Sequence, residues 1–114
     1  MAEEEFEIEI TYPAELRYQQ EVLTYLLKNF SLKRALEIND NIFVSIKSIS
    51  KMPKRGGIEP ILKKYPQQFR YLLHKETRNF QIKIIYYIEP SIRKIYVTDF
   101  FPVLMLPEKI KERN

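Results

Sequence analysis

The one histidine in the chain, His74, lies four residues after Arg70 in the stretch from Phe69 to Phe101. Lys83 follows in the next apolar run. Side chains alternate along a strand, so Arg70, Leu72 and His74 share a face, and Lys83 on the neighbouring strand is expected close by. Cations beside an imidazole suit a phosphodiester. The cations offset the negative charge that develops on the phosphoryl oxygens during cleavage, and the imidazole moves a proton. Arg70, His74 and Lys83 are therefore the candidate catalytic set for metal-free cleavage of RNA. Lys54, Arg55, Lys75, Arg78, Tyr87 and Arg93 are candidate nucleic-acid contacts, because basic and aromatic side chains interleave there. Each residue also has a plainer reading. His74 can be a surface histidine between charged neighbours. Lys83, Arg93 and Lys94 can be solvated strand residues that discourage edge pairing.

Other chemistries find little support. The chain has no cysteine, which excludes disulfides, thiol catalysis and thiolate metal sites. With a single histidine, an all-protein zinc site is not expected, and neither is a small-molecule cofactor. No GxSxG elbow, P-loop spacing or dinucleotide fingerprint occurs. Gly56 and Gly57 sit together after Lys54 and Arg55, a pairing that fits either a phosphate cradle or a flexible connector. Turn chemistry favours the connector.

Charge is strongly segregated. Residues 1–46 hold four Lys/Arg against nine Asp/Glu, whereas residues 47–94 hold twelve against three. Segregation on this scale points to an acidic partner or a phosphate backbone. With 114 residues, 45% hydrophobic and 30% charged, the chain suits one globular domain spanning 1–114, with residues 1–5 expected to be disordered. No apolar run reaches the roughly 20 residues of a membrane span. The acidic start is unlike a signal peptide, so a cytoplasmic location is expected.

The elements that must hold these residues follow in order. Phe6 to Tyr12 alternates with period 2 and predicts a half-buried strand with Phe6, Ile8, Ile10 and Tyr12 inward. A helix is predicted from Ala14 to about Asn29 and a second from Leu32 to about Lys51, with Ser31 as its N-cap and a kink or late start at Asn39-Asp40-Asn41. Three strands are expected at 69–74, 80–88 and 93–101. The predicted fold class is α+β: an N-terminal strand, an antiparallel two-helix hairpin, then a three-stranded antiparallel meander forming one twisted sheet. One face of that sheet would lie on the helices and the other would stay partly open.

The turn "KMP…GG" and the stretches "FRYLLHKETRNFQIKIIYYIE" and "IYVTDFFPVLMLPEKI" carry a resemblance. Over nearly its whole length after Glu5 the chain resembles the RelE/ParE superfamily of bacterial type II toxin–antitoxin toxins. The resemblance implies a compact α+β toxin neutralised by an acidic antitoxin. It implies one of two targets: mRNA on the ribosome, cleaved without a metal, or DNA gyrase. It places Arg70, His74 and Lys83 among the basic groups of the sheet. Many relatives carry Phe-x-x-Arg after the last strand, and here Phe101-Pro102-Val103-Leu104 stands in its place. The phosphate-stabilising arginine is thus replaced by Leu104, with Arg78 or Arg93 as possible substitutes. Val103, Leu104, Met105 and Leu106 suit an apolar contact with a partner. A non-catalytic basic module that docks an acidic peptide or RNA is the alternative.

Overall fold

Ile82, Ile84 and Tyr86 on one side of a ten-residue strand, and Ile85 and Tyr87 on the other, divide the interior into two cores. The computed structural model describes residues 5–103 and 109–113. Five strands form one sheet: β1 (Glu7–Ile10), β2 (Gly57–Ile58), β3 (Arg70–Thr77), β4 (Phe80–Glu89) and β5 (Lys94–Pro102). Their order is β1-β5-β4-β3-β2. The β2–β3, β3–β4 and β4–β5 pairs are antiparallel, whereas β1 runs parallel to β5 with Ile8 opposite Ile95. This five-stranded mixed sheet overturns the expected three-stranded antiparallel meander.

The helical layer also departs from the expected two-helix hairpin. The first helical run starts earlier than predicted. It comprises α1 (Tyr12–Arg17), a π-helical segment (Tyr18–Leu23) and α2 (Thr24–Asn29). Tyr12 therefore belongs to the first helical turn and is exposed, not inward on a strand. Thr11 caps that turn, accepting from the Ala14 N–H at 3.4 Å. The dominant helix is α3 (Leu32–Lys51), a single run of 20 residues. Ser31 caps it as predicted, accepting from the Arg34 N–H at 3.1 Å. The poor helix formers at 39–41 do not break it, because tertiary partners hold them. Asn39 accepts from the Tyr18 hydroxyl, and Asn41 donates to Glu76. Such contacts outweigh the few tenths of a kcal/mol per residue, roughly, that separate ordinary helix propensities.

The larger core lies between these helices and the sheet. Leu26, Ile38, Ile42 and Ile49 meet Ile82, Ile84, Tyr86 and Val97 there, all essentially inaccessible. Each such side chain contributes about 1.5–3 kcal/mol by burial. The smaller core covers the opposite face. Leu62 from a 3₁₀ turn (Pro60–Leu62), Phe69, Ile85, Phe101 and Ile110 of α4 (Lys109–Arg113) form it. That face is thus partly roofed. A β-bulge makes the two-sided pattern possible. Ile85 pairs with Asp99 and Tyr86 with Val97, leaving Thr98 as the extra residue.

Gly56 and Gly57 are not a loose connector. Gly57 begins β2, and Gly56 is buried with its N–H donating to the Tyr86 hydroxyl at 3.0 Å. That hydroxyl donates in turn to the Pro53 carbonyl at 2.7 Å. A Cβ on Gly56 would lie 2.3 Å from the Tyr71 carbonyl oxygen, so only glycine allows this approach. Among the described residues no helix is long and apolar enough to cross a membrane. The expectations for residues 1–4 and for Leu104, Met105 and Leu106 lie outside the described residues. Glu5 is described, and its carboxylate stands 3.8 Å from the Lys51 ammonium.

Candidate functional site

The register between β3 and β4 decides which basic residues can act together. Arg70 pairs with Tyr86, Leu72 with Ile84 and His74 with Ile82, so these three look toward the helices. Lys83 pairs with Leu73 and belongs to the opposite face, with Tyr71 and Lys75. The expected catalytic set of Arg70, His74 and Lys83 is therefore split by the sheet. The alternation within β3 held, but the helices cover the side expected to be open. Its sequence is ambiguous on this point, because both faces carry apolar and basic residues.

Arg70 and His74 are engaged on the covered side. The Arg70 guanidinium donates to the Gly56 carbonyl at 2.8 Å. His74 is buried, with Nδ1 2.8 Å from the Ser45 hydroxyl and Nε2 3.0 Å from a Glu76 oxygen. Glu76 also accepts from Arg34 at 3.2 Å and from Asn41 at 3.1 Å. Nothing in the sequence signalled this network, because Ser45 and Glu76 meet His74 only through the packing of α3 against β3. Its order of serine, imidazole and carboxylate is that of a nucleophilic triad. Ser45, however, sits mid-helix, where neighbouring N–H groups already bond to carbonyls one turn back. An oxyanion would find no donors there. The network joins α3 to β3.

The other face carries the basic groups that reach solvent. Lys83 Nζ lies 3.1 Å from Glu59, whose side chain is fully buried, and 4.6 Å from the Tyr71 ring centre. Lys75, opposite Gln81, is a diagonal neighbour of Lys83 and is exposed. Diagonal positions on one face stand about 7–8 Å apart, close enough for two ammonium groups to act on one nucleic-acid strand. Arg78, exposed in the β3–β4 turn, stands beyond them.

The remaining predicted contacts do not join this group. Lys54 and Arg55 lie in a 3₁₀ turn (Pro53–Arg55) by the far end of β4, where Tyr86 binds Pro53. Arg93, left-handed at φ 49°, places its guanidinium 4.5 Å from the Phe6 ring centre. Tyr87 stacks on Tyr96 at 5.1 Å between centres and meets Phe69 edge-on, which makes it a packing residue of the smaller core. Burial pushes its hydroxyl above the ordinary tyrosine value, assisted by Tyr96 and the Glu89 and Glu9 charges.

Compared with known proteins, the chain matches no family model, no curated protein and no solved structure.

Two further buried charge groups escaped the sequence reading. Asp99 is fully buried and accepts from Arg113 of α4 at 2.8 Å, while Arg113 also donates to Glu21. Glu59 holds Lys83 from beneath the second face. Both carboxylates are fully buried, and their local sequence gives no sign of it. Val103 is exposed and extends the β4 pairing by donating its N–H to the Gln81 carbonyl at 3.1 Å. Among the described residues no cluster of three His, Asp or Glu could hold a metal ion.

Proposed function

We propose that this protein is the toxin component of a bacterial type II toxin–antitoxin pair, that it inhibits translation by engaging mRNA on the ribosome, and that an acidic antitoxin neutralises it. The observation that carries the reading is the exposed basic end of the second sheet face, where Lys75, Lys83 and Arg78 follow one another along β3, β4 and their turn. The resemblance of the β3–β5 segments to RelE/ParE toxins supplies the biological setting. Lys75 and Lys83, diagonal neighbours on that face, can meet neighbouring phosphates of one strand.

The separation of Arg70 and His74 from Lys83 favours a second reading, in which the chain inhibits by binding alone, on the ribosome or on DNA gyrase. The two readings differ in one product. A reconstituted bacterial translation extract is dosed with the protein and with a Lys75→Ala/Arg78→Ala variant, both shown to be folded. Inhibition that falls at least tenfold in the variant is expected, and mapped 5′ ends on ribosomal mRNA distinguish cleavage from occlusion. Unimpaired translation by the folded wild-type chain would remove the ribosome as target and turn attention to gyrase supercoiling.

A further inference from the structure

An apolar cleft of about 520 Å³ opens at the end of the sheet remote from Lys75 and Arg78. Phe6, Met52, Pro53, Ile88 and Pro90 form its walls, and Lys54 and Arg55 stand at its rim. The cleft is open to solvent, and its volume is comparable to that of ligand clefts, about 300–1,000 Å³.

The walls are fixed by the fold. The Phe6 N–H donates to the Ser50 carbonyl at 3.0 Å, and the Ser50 hydroxyl donates back to the Phe6 carbonyl. The Tyr86 hydroxyl ties down Pro53 and Gly56 on either side of the two cations. Arg93 covers the Phe6 ring, so the ring presents little face for a base to stack on. The remaining walls are aliphatic or proline. Lys54 and Arg55 are exposed, and among the described residues neither stands in an ion pair. A preformed aliphatic slot rimmed by cations complements an acidic peptide that carries one large apolar side chain. It complements a nucleic acid poorly, because the slot offers no free aromatic platform.

We propose that this cleft docks an acidic peptide segment of a partner protein, its apolar side chain seated between Met52 and Ile88 and its carboxylates paired with Lys54 and Arg55. This rests on the reading above that an acidic protein neutralises the chain, and it assigns that partner a place. Rim charges of this kind speed encounter and fix register, while the buried anchor supplies most of the affinity.

The test uses the full chain and a fluorescein-labelled twelve-residue peptide of Glu, Asp and Ser with one central Phe. A second peptide replaces that Phe by Ser. Saturable anisotropy with the first peptide is expected. The second peptide, and a Lys54→Ser/Arg55→Ser variant, should each bind at least tenfold more weakly. Methyl resonances of Met52 and Ile88 should shift on titration. A Met52→Ser variant, altered at an exposed position, should weaken binding without unfolding the chain. Equal binding of both peptides, indifference to the rim variant, or no binding overturns the proposal. So does displacement of the peptide by an oligouridylate, or binding that appears only after Glu3→Gln/Glu4→Gln, which would give the cleft to RNA or to the chain's own N-terminus. Growth arrest on expression is scored separately. Arrest without peptide binding refutes the cleft assignment alone, and peptide binding without arrest refutes the toxin reading alone.

Discussion

Gly56 carries more of the local structure than its place beside Gly57 suggests. A Cβ there would press on the Tyr71 carbonyl and lie 2.7 Å from the Tyr86 hydroxyl, both fixed by the sheet. Gly56→Ala is expected to cost about 1–3 kcal/mol, the usual range for overpacking. It should appear as a lower urea midpoint with little change in slope. An unchanged midpoint would mean that the β2 turn yields freely. Tyrosine ionisation acts on stability at the same scale. Burial raises the Tyr18 hydroxyl above its ordinary value, with the Asp40 charge adding to the effect. Burial also raises Tyr86, against the opposing pull of the Gly56 N–H and the Arg70 and Arg55 cations. The folded chain keeps these protons where the unfolded chain, titrating near 10, has lost them. Below about pH 10 the contribution is fully present, and it is lost as pH rises from there toward the folded values. Stability should therefore fall above pH 10, by about 1.4 kcal/mol per pH unit for each tyrosine in that window. Tyr18→Phe should flatten the fall in urea unfolding at pH 9 to 11. An equally steep fall in that variant would rule out Tyr18 as a source.

Among the elements, α4 shows how a short tail segment can hold a fold together. Ile110 closes the smaller core, and Arg113 links the buried Asp99 to Glu21 of the π-helical segment. Removing one partner of a buried ion pair leaves the other uncompensated, at about 3–5 kcal/mol. Arg113→Ala should fall near the lower end, since Arg17 also stands 3.7 Å from Asp99. Adding Asp99→Asn should recover much of the loss in a double-mutant cycle, and simple additivity of the two changes would show that the pair is not coupled. Elements of this kind were only partly legible in the sequence. Period-2 alternation marks Glu7–Ile10 as a half-buried strand, but alternation does not name a partner or a direction, so the parallel β1–β5 pair was hidden. The Gly56-Gly57 pair signals a connector because glycines are turn residues by propensity, whereas Gly56 serves close approach to Tyr71 and Gly57 opens the two-residue strand β2. α3 was legible at both ends through its cap and period. Its continuity through 39–41 was not, since Tyr18 and Glu76 supply it from elsewhere in the chain.

For the whole molecule, the sequence showed charge segregation plainly, whereas the distribution of that charge over the two faces needed the register. Arg70 and Lys83 are both basic strand residues, and a change in pairing by one position would have put them on the same face. In the fold, Arg70 is held against the Gly56 carbonyl, and Lys83 offsets the buried Glu59 while keeping one flank toward solvent. Together with Lys75 and Arg78, Lys83 forms a short electrostatic track on the exposed end of the sheet. With each of the three meeting one phosphate of a single strand, the logarithm of affinity should fall with the logarithm of salt at a slope of about −2. Between 50 and 200 mM salt that slope is a loss of roughly tenfold to twentyfold. Lys75→Ala should lower the slope by about 0.7 and weaken binding similarly across sequences, because phosphate contacts position a strand without reading it. Lys54→Ser, at the opposite end of the sheet, should leave the slope unchanged. A slope that responds to Lys54 and not to Lys75, measured by titrating a labelled oligouridylate at several salt concentrations, would move the RNA track to the other end of the molecule. That end could not then be reserved for the acidic peptide, since the same two cations would already be neutralised by phosphate.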